Sequence, residues 1–123
     1  MSTDTEKTIL IIDNQPREIA ALRKQLAFAG FKTQIARTGT GAINKIEEGR
    51  PDVVVLEVSL SDMDGLEVVS FIRSDSKTYR IPVIAMSAFP HLRDRCLRGG
   101  CDAFFQKPIK ILDLVARIRK SLR

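Results

Sequence analysis

Apolar residues run without a break through Ile9-Leu10-Ile11-Ile12 and again through Val53-Val54-Val55-Leu56. A strand that is apolar at every position has both faces covered, as in a parallel sheet held between helices. Each run stops at a carboxylate, Asp13 in the first and Glu57 in the second. Elsewhere the period changes. Ile19, Leu22 and Leu26 share one face of a helix that opens near Pro16, with Asn14 placed to cap it, and closes at Gly30. Lys32 to Ala36 reads as a short strand. Gly39 and Gly41 precede a weak helix with Ala42, Ile43 and Ile46 inward, stopped by Gly49 and Pro51. Leu66, Val69 and Ile72 open a helix that runs to about Arg73. Val83-Ile84-Ala85-Met86 is a further strand and ends on Ser87. Pro90 to Arg98 reads as one poorly amphipathic helix with Leu92 and Cys96 inward, broken by Gly99-Gly100. Ala103-Phe104-Phe105-Gln106 is the last strand and ends on Lys107-Pro108. Ile111, Val115, Ile118 and Leu122 stripe the last helix.

Strand and helix therefore alternate five times. That order predicts an α/β fold with a doubly wound parallel sheet, helices on both faces and right-handed crossovers. Residues 1–7 are polar, lack periodicity and are expected to be a flexible N-terminus. Residues 8–123 are expected to form a single domain, with no repeat, no linker and no output domain after the last helix.

Composition narrows the class without naming a function. A chain of 123 residues, 44% hydrophobic and 28% charged, can bury one core. No apolar run is long enough for a membrane span and no secretory signal opens the chain, so the expected location is cytoplasmic, with no membrane contact. Cys96 and Cys101 are then expected as reduced thiols, and with only His91 nearby they are too few for structural zinc. A formal charge of +5 admits an acidic partner.

The strand ends carry the chemistry. Asp13, Glu57, Ser87 and Lys107 each terminate a different strand, so the topology gathers two acids, a hydroxyl and an amine at the carboxyl edge of one sheet. Sites in open α/β sheets lie at that edge.

With the Ile-Ile-Asp-Asn-x-Pro opening, Met63-Asp64-Gly65-Leu66-Glu67 after the central strand, Ile-Pro-Val-Ile-Ala-Met-Ser-Ala and the late Lys-Pro, the chain resembles the receiver domain of two-component response regulators over nearly its whole length. The resemblance implies a flavodoxin-like (βα)5 sheet in the order 2-1-3-4-5. It implies an Mg2+ site served by Asp13, by the residue at position 57 and by the carbonyl of Ser59. It also implies a phosphoacceptor at position 57, a hydroxyl at Ser87 and a lysine at Lys107 that contact the phosphoryl group, a switch formed by Ser87 and Phe104, and a cis Lys107-Pro108 bond. Such a domain is a signalling module rather than an enzyme acting on an external substrate.

Two positions depart from that pattern. The acceptor aspartate is Glu57, and the second metal-binding acid is Asn14; Ser61 also stands where a proline is common. Glutamate displaces the carboxylate by on the order of 1 Å, enough to cost about a hundredfold in a reaction that depends on in-line positioning. Asn14 removes a negative charge from the metal cage, so Mg2+ binding is expected to be weak or absent. The longer side chain also brings a carboxylate towards Lys107 or Ser87, where it can imitate part of what phosphorylation supplies. The expectation is a pseudo-receiver that is not phosphorylated on Glu57 and works as a protein-interaction module. The alternatives are a working phosphorelay receiver, using Glu57 or a neighbour such as Ser59, Ser61 or Asp62, and a basic nucleic-acid-binding protein. From His91 to Arg123 the chain is rich in Arg and Lys. That face is expected to meet a partner protein, a histidine kinase, an output protein or a second copy in a homodimer. Nucleic acid is disfavoured, since neither a helix-turn-helix pattern nor an aromatic stacking stripe is present.

Overall fold

A computed structural model describes residues 7–123. The expected flexible start therefore lies outside the described residues except at Lys7. There the Lys7 carbonyl accepts a hydrogen bond from the Lys32 amide at 3.0 Å.

Five strands alternate with five helices: β1 (Thr8–Ile12), α1 (Pro16–Phe28), β2 (Lys32–Ala36), α2 (Gly39–Gly49), β3 (Val53–Glu57), α3 (Gly65–Ser74), β4 (Val83–Ser87), α4 (Arg93–Arg98), β5 (Ala103–Gln106) and α5 (Ile111–Ser121). All pairings are parallel, in the order β2-β1-β3-β4-β5. This is the flavodoxin-like arrangement that the sequence implies.

The two apolar runs occupy neighbouring central strands, Ile9–Ile12 in register with Val53–Leu56. Side chains of a strand point alternately to the two faces. Leu10, Ile12, Val54 and Leu56 accordingly pack with Ala42 and Ile46 of α2, Val68, Val69 and Ile72 of α3 and Cys96 of α4. Ile9, Ile11, Val53 and Val55 pack on the other face with Leu22 and Leu26 of α1 and Leu114, Val115 and Ile118 of α5. Both faces are core, which is why neither strand shows a polar alternation.

Local chemistry shifts several boundaries. Gly39 and Gly41 lie within α2 rather than before it, because Thr38 is the N-cap and its hydroxyl accepts from the Gly41 amide at 2.9 Å. Gln15, not Asn14, is the N-cap residue of α1; its amide donates to Asp13 Oδ1 at 3.0 Å. The segment expected as one helix from Pro90 is a 3-10 turn, Pro90–Leu92, followed by the short α4. That α4 ends where Gly100, at φ 109°, lets the Cys101 amide reach back to the Cys96 carbonyl at 3.0 Å. Both cysteines are buried and free, and burial raises both thiols, Cys101 to about 12.

Candidate functional site

Strand order alone brings the polar ends together. Asp13 directly follows β1 and is held there by its amide, which donates to the Ala36 carbonyl at 3.1 Å. Glu57 and Ser87 are the last residues of β3 and β4. Lys107 directly follows β5, and its amide donates to the Ser87 carbonyl at 2.8 Å. Its bond to Pro108 is cis. Asp13 and Ser87 are fully buried, and Glu57 is nearly so.

The loop after β3 is pinned on three sides. Asp64 caps α3 in a reciprocal capping box with Glu67 and also pairs with Arg95 of α4. Asp62 accepts from the Gly39 amide at 2.8 Å and from the Thr40 amide at 3.0 Å, closing the N-terminus of α2 from outside. Those amides hold its carboxyl below the usual range. Gly65 allows the tight return, since a Cβ there would stand 2.8 Å from the Glu57 carbonyl oxygen.

Lys107 is the centre of the charge cluster. Its Nζ lies 2.5 Å from Glu18 Oε2, 2.6 Å from Glu57 Oε1 and 3.3 Å from Asp13 Oδ2. An ammonium has three protons, and here three carboxylates face it. Burial works to lower its pKa, but the hydrogen bonds to Glu18 and Glu57 and the charge of Asp13 outweigh that and hold it above the ordinary lysine value. Burial raises Asp13, and the Gln15 amide and Lys107 only partly offset it. The second oxygen of Glu57 is also engaged, accepting from the Ser59 amide at 3.0 Å. Ser87 Oγ accepts from the Phe89 amide at 3.0 Å; Glu57 makes its close contact with Lys107 and not with this hydroxyl. Phe104 is buried in the core, and its carbonyl faces Arg93 at 3.4 Å.

Glu18 was not singled out from the sequence. A glutamate in the first turn of a helix ordinarily reads as a favourable dipole contact. The available signal was its position two residues inside α1, close behind Asp13, where the helix starts over the edge of the sheet. Asn14, by contrast, is half-buried and adds no hydrogen bond to the cluster among the described residues. Asp13, Glu18 and Glu57 each offer one oxygen within 4.8 Å of the others. As a set of hard oxygen donors they fit Mg2+, while the same three groups are already bonded to the Lys107 ammonium. A cleft of about 230 Å³ opens above them, lined by Asn14, Glu18, Glu57, Ser87, Phe89 and Lys107.

The basic segment from His91 to Arg123 is less free than its count suggests. Lys107 turns into the pocket, Arg95 pairs with Asp64, and Arg117 donates to the Asp102 carbonyl at 3.0 Å. Arg98, Lys110, Lys120 and Arg123 remain on the exposed side. Among the described residues no helix is long and apolar enough to cross a membrane.

Comparison with known proteins agrees with this frame. The chain is 30% identical over 118 residues to the polar-differentiation response regulators DivK of Brucella anthropi and Brucella ovis, covering 94% of this chain and 96% of each relative. The receiver domain of a signal transduction histidine kinase from Syntrophus aciditrophicus superposes with a TM-score of 0.87 at 28% identity, covering 94% of this chain and 89% of that one. The receiver domain of a Pseudomonas aeruginosa sensor histidine kinase, solved with magnesium in its active-site cleft, shares the fold with a TM-score of 0.87 at 24% identity, covering 94% of this chain and 97% of that one. Residues 9–119 match the response regulator receiver domain, and the chain belongs to that family of two-component signalling modules.

Proposed function

We propose that this receiver does not accept a phosphoryl group at position 57 and acts as a protein-interaction module biased towards one conformation by Glu57. The observation that carries the reading is the contact of 2.6 Å between Glu57 Oε1 and Lys107 Nζ, with Glu57 Oε2 on the Ser59 amide. The carboxylate engages donors that an incoming phosphoryl oxygen would need. Phe104, the aromatic position that swings with activation in the receivers this chain resembles, is buried, which supports an active-like arrangement. Carboxylate carries less charge and fewer acceptors than phosphate, so the imitation is partial.

Asp13 and Glu57, with the Ser59 carbonyl, are the residues that would hold Mg2+, and the ion would supply positive charge opposite a phosphoryl group. Its binding is weakened because Asn14 contributes no charge and Lys107 already bonds the carboxylates. The surface from α4 to α5, with Arg98, Lys110, Lys120 and Arg123 exposed, is the face proposed to meet an acidic protein partner.

The test is intact-protein mass after incubation with Mg2+ and acetyl phosphate. Wild type, Glu57→Asp and the double variant Asn14→Asp/Glu57→Asp are compared. The expected result is a phosphoryl adduct only in the restored proteins. An adduct on the wild type would return the chain to the working phosphorelay receivers.

A further inference from the structure

The Lys107 ammonium is held most closely by a residue that the receiver pattern did not bring into view. Glu18 reaches it at 2.5 Å from α1, opposite Glu57 at 2.6 Å, and Asp13 takes the third, longer place at 3.3 Å. The Glu18 side chain is 44% exposed, while those of Lys107 and Glu57 are 12% and 10% exposed. An arm anchored at the surface thus closes over a nearly buried amine. Three protons facing three acceptors leave the ammonium no proton for a fourth ligand. Shortening the side chain at position 57 would release only the proton that Glu57 holds, because Glu18 approaches from another element.

We infer that Glu18 is a positioning residue that keeps Lys107 in the carboxylate cluster and withholds it from any phosphoryl group entering the cleft, even when aspartate is restored at position 57. This deepens the reading above, which attributes the loss of phosphate chemistry to Glu57 and Asn14. A lysine retained in this way does not give its full set of protons to a phosphoryl oxygen until the Glu18 contact breaks, so restoration at positions 14 and 57 alone gives a slow acceptor.

Two measurements test it. The first is proton exchange of the 15N-labelled Lys107 ammonium by NMR, in wild type and in Glu18→Ala and Glu18→Asp. Glu18→Asp keeps the charge but shortens the arm by one methylene, on the order of 1 Å. Both variants are expected to speed exchange by about tenfold or more, the scale of one lost charge-assisted hydrogen bond. The second measurement is the rate of adduct formation from acetyl phosphate in the Asn14→Asp/Glu57→Asp background. There the phosphoryl group passes to the carboxylate at position 57 and acetate leaves. Adding either Glu18 change is expected to raise the rate by about tenfold. Unchanged ammonium exchange in both variants overturns the inference. So does a rate increase with alanine but none with aspartate, because relief of negative charge, not release of the lysine, would then explain it. An adduct on the wild type would instead sink the reading of position 57, and ammonium exchange would still judge Glu18 separately.

Discussion

Replacing Lys107 with methionine keeps a side chain of similar length and removes the cation bonded to Asp13, Glu18 and Glu57. Removing one partner of a buried ion pair costs about 3–5 kcal/mol, because the remaining charge stays buried without compensation. Asp13 and Glu57 qualify, with side chains 0% and 10% exposed; Glu18, at 44%, is largely screened by solvent and adds little. A loss of this size is a large part of the roughly 5–15 kcal/mol that holds a domain together. The assay is urea unfolding followed by far-UV circular dichroism in EDTA, so that no divalent cation replaces the ammonium. With an m-value of about 1.5 kcal/mol/M, the midpoint should fall by roughly 2–3 M. The pH dependence follows from the direction of the shifts. A lysine raised in the fold contributes stability that is complete below its unfolded pKa, about 10.4, and lost as pH rises through the folded value, so the wild type has all of it at pH 7. In the variant Asp13, already raised by burial, loses the lowering effect of Lys107 and its pKa rises further. Its protonation then relieves the buried charge, and the gap to wild type narrows as pH falls from 7 towards about 4. A gap under about 1 kcal/mol at pH 7, or one that does not narrow in acid, would refute the assignment of Lys107 as the charge that holds the cluster.

The buried thiol beside α4 gives a second stability test. Cys101 is 6% exposed and pushed up to about 12, so its contribution is present below the unfolded thiol value and lost as pH rises towards 12. Between pH 9 and 10, below the lysine range, wild type should lose about 1 kcal/mol more than Cys101→Ala; parallel declines in urea titrations would contradict this. For the basic face, fluorescence anisotropy with generic duplex DNA at physiological salt should give a Kd no tighter than about 10⁻⁴ M. Tighter binding with a steep salt slope would replace the protein partner with nucleic acid.

The fold was legible because its signals are redundant. Apolar runs, helical stripes and Gly/Pro stops point to the same alternation, and only one sheet order is implied by the receiver pattern. Errors fell where a few hydrogen bonds decide a boundary. Thr38, and not the glycines after it, sets the start of α2, and the 3-10 turn at Pro90 shortens α4. The four strand-end residues were also legible, since each stands at the end of a strand that the sequence marks. Glu18 was not, because its role depends on where the first turn of α1 crosses the sheet edge, and periodicity carries no information about that. Nor does charge counting reveal which arginines are already engaged. Arg95 counts as surface charge in the sequence and is a partner of the α3 cap in the structure.

Glu57 and Glu18 act together on a single atom, the Lys107 ammonium nitrogen. In a pocket with aspartate at position 57 and no acid at position 18, the lysine would keep protons to offer an incoming phosphoryl oxygen. Lengthening the acid at position 57 occupies one of those protons, and Glu18 occupies another from the opposite side. Asn14 removes negative charge from the metal cage without adding a contact to the lysine. On the function proposed above, a pocket with no acid at position 14 and three carboxylates on an ammonium uses an internal counter-ion in place of a divalent one. Such an exchange favours a fixed charge arrangement over one that must open for each phosphoryl group, and it agrees with a receiver read by its partners in a single state.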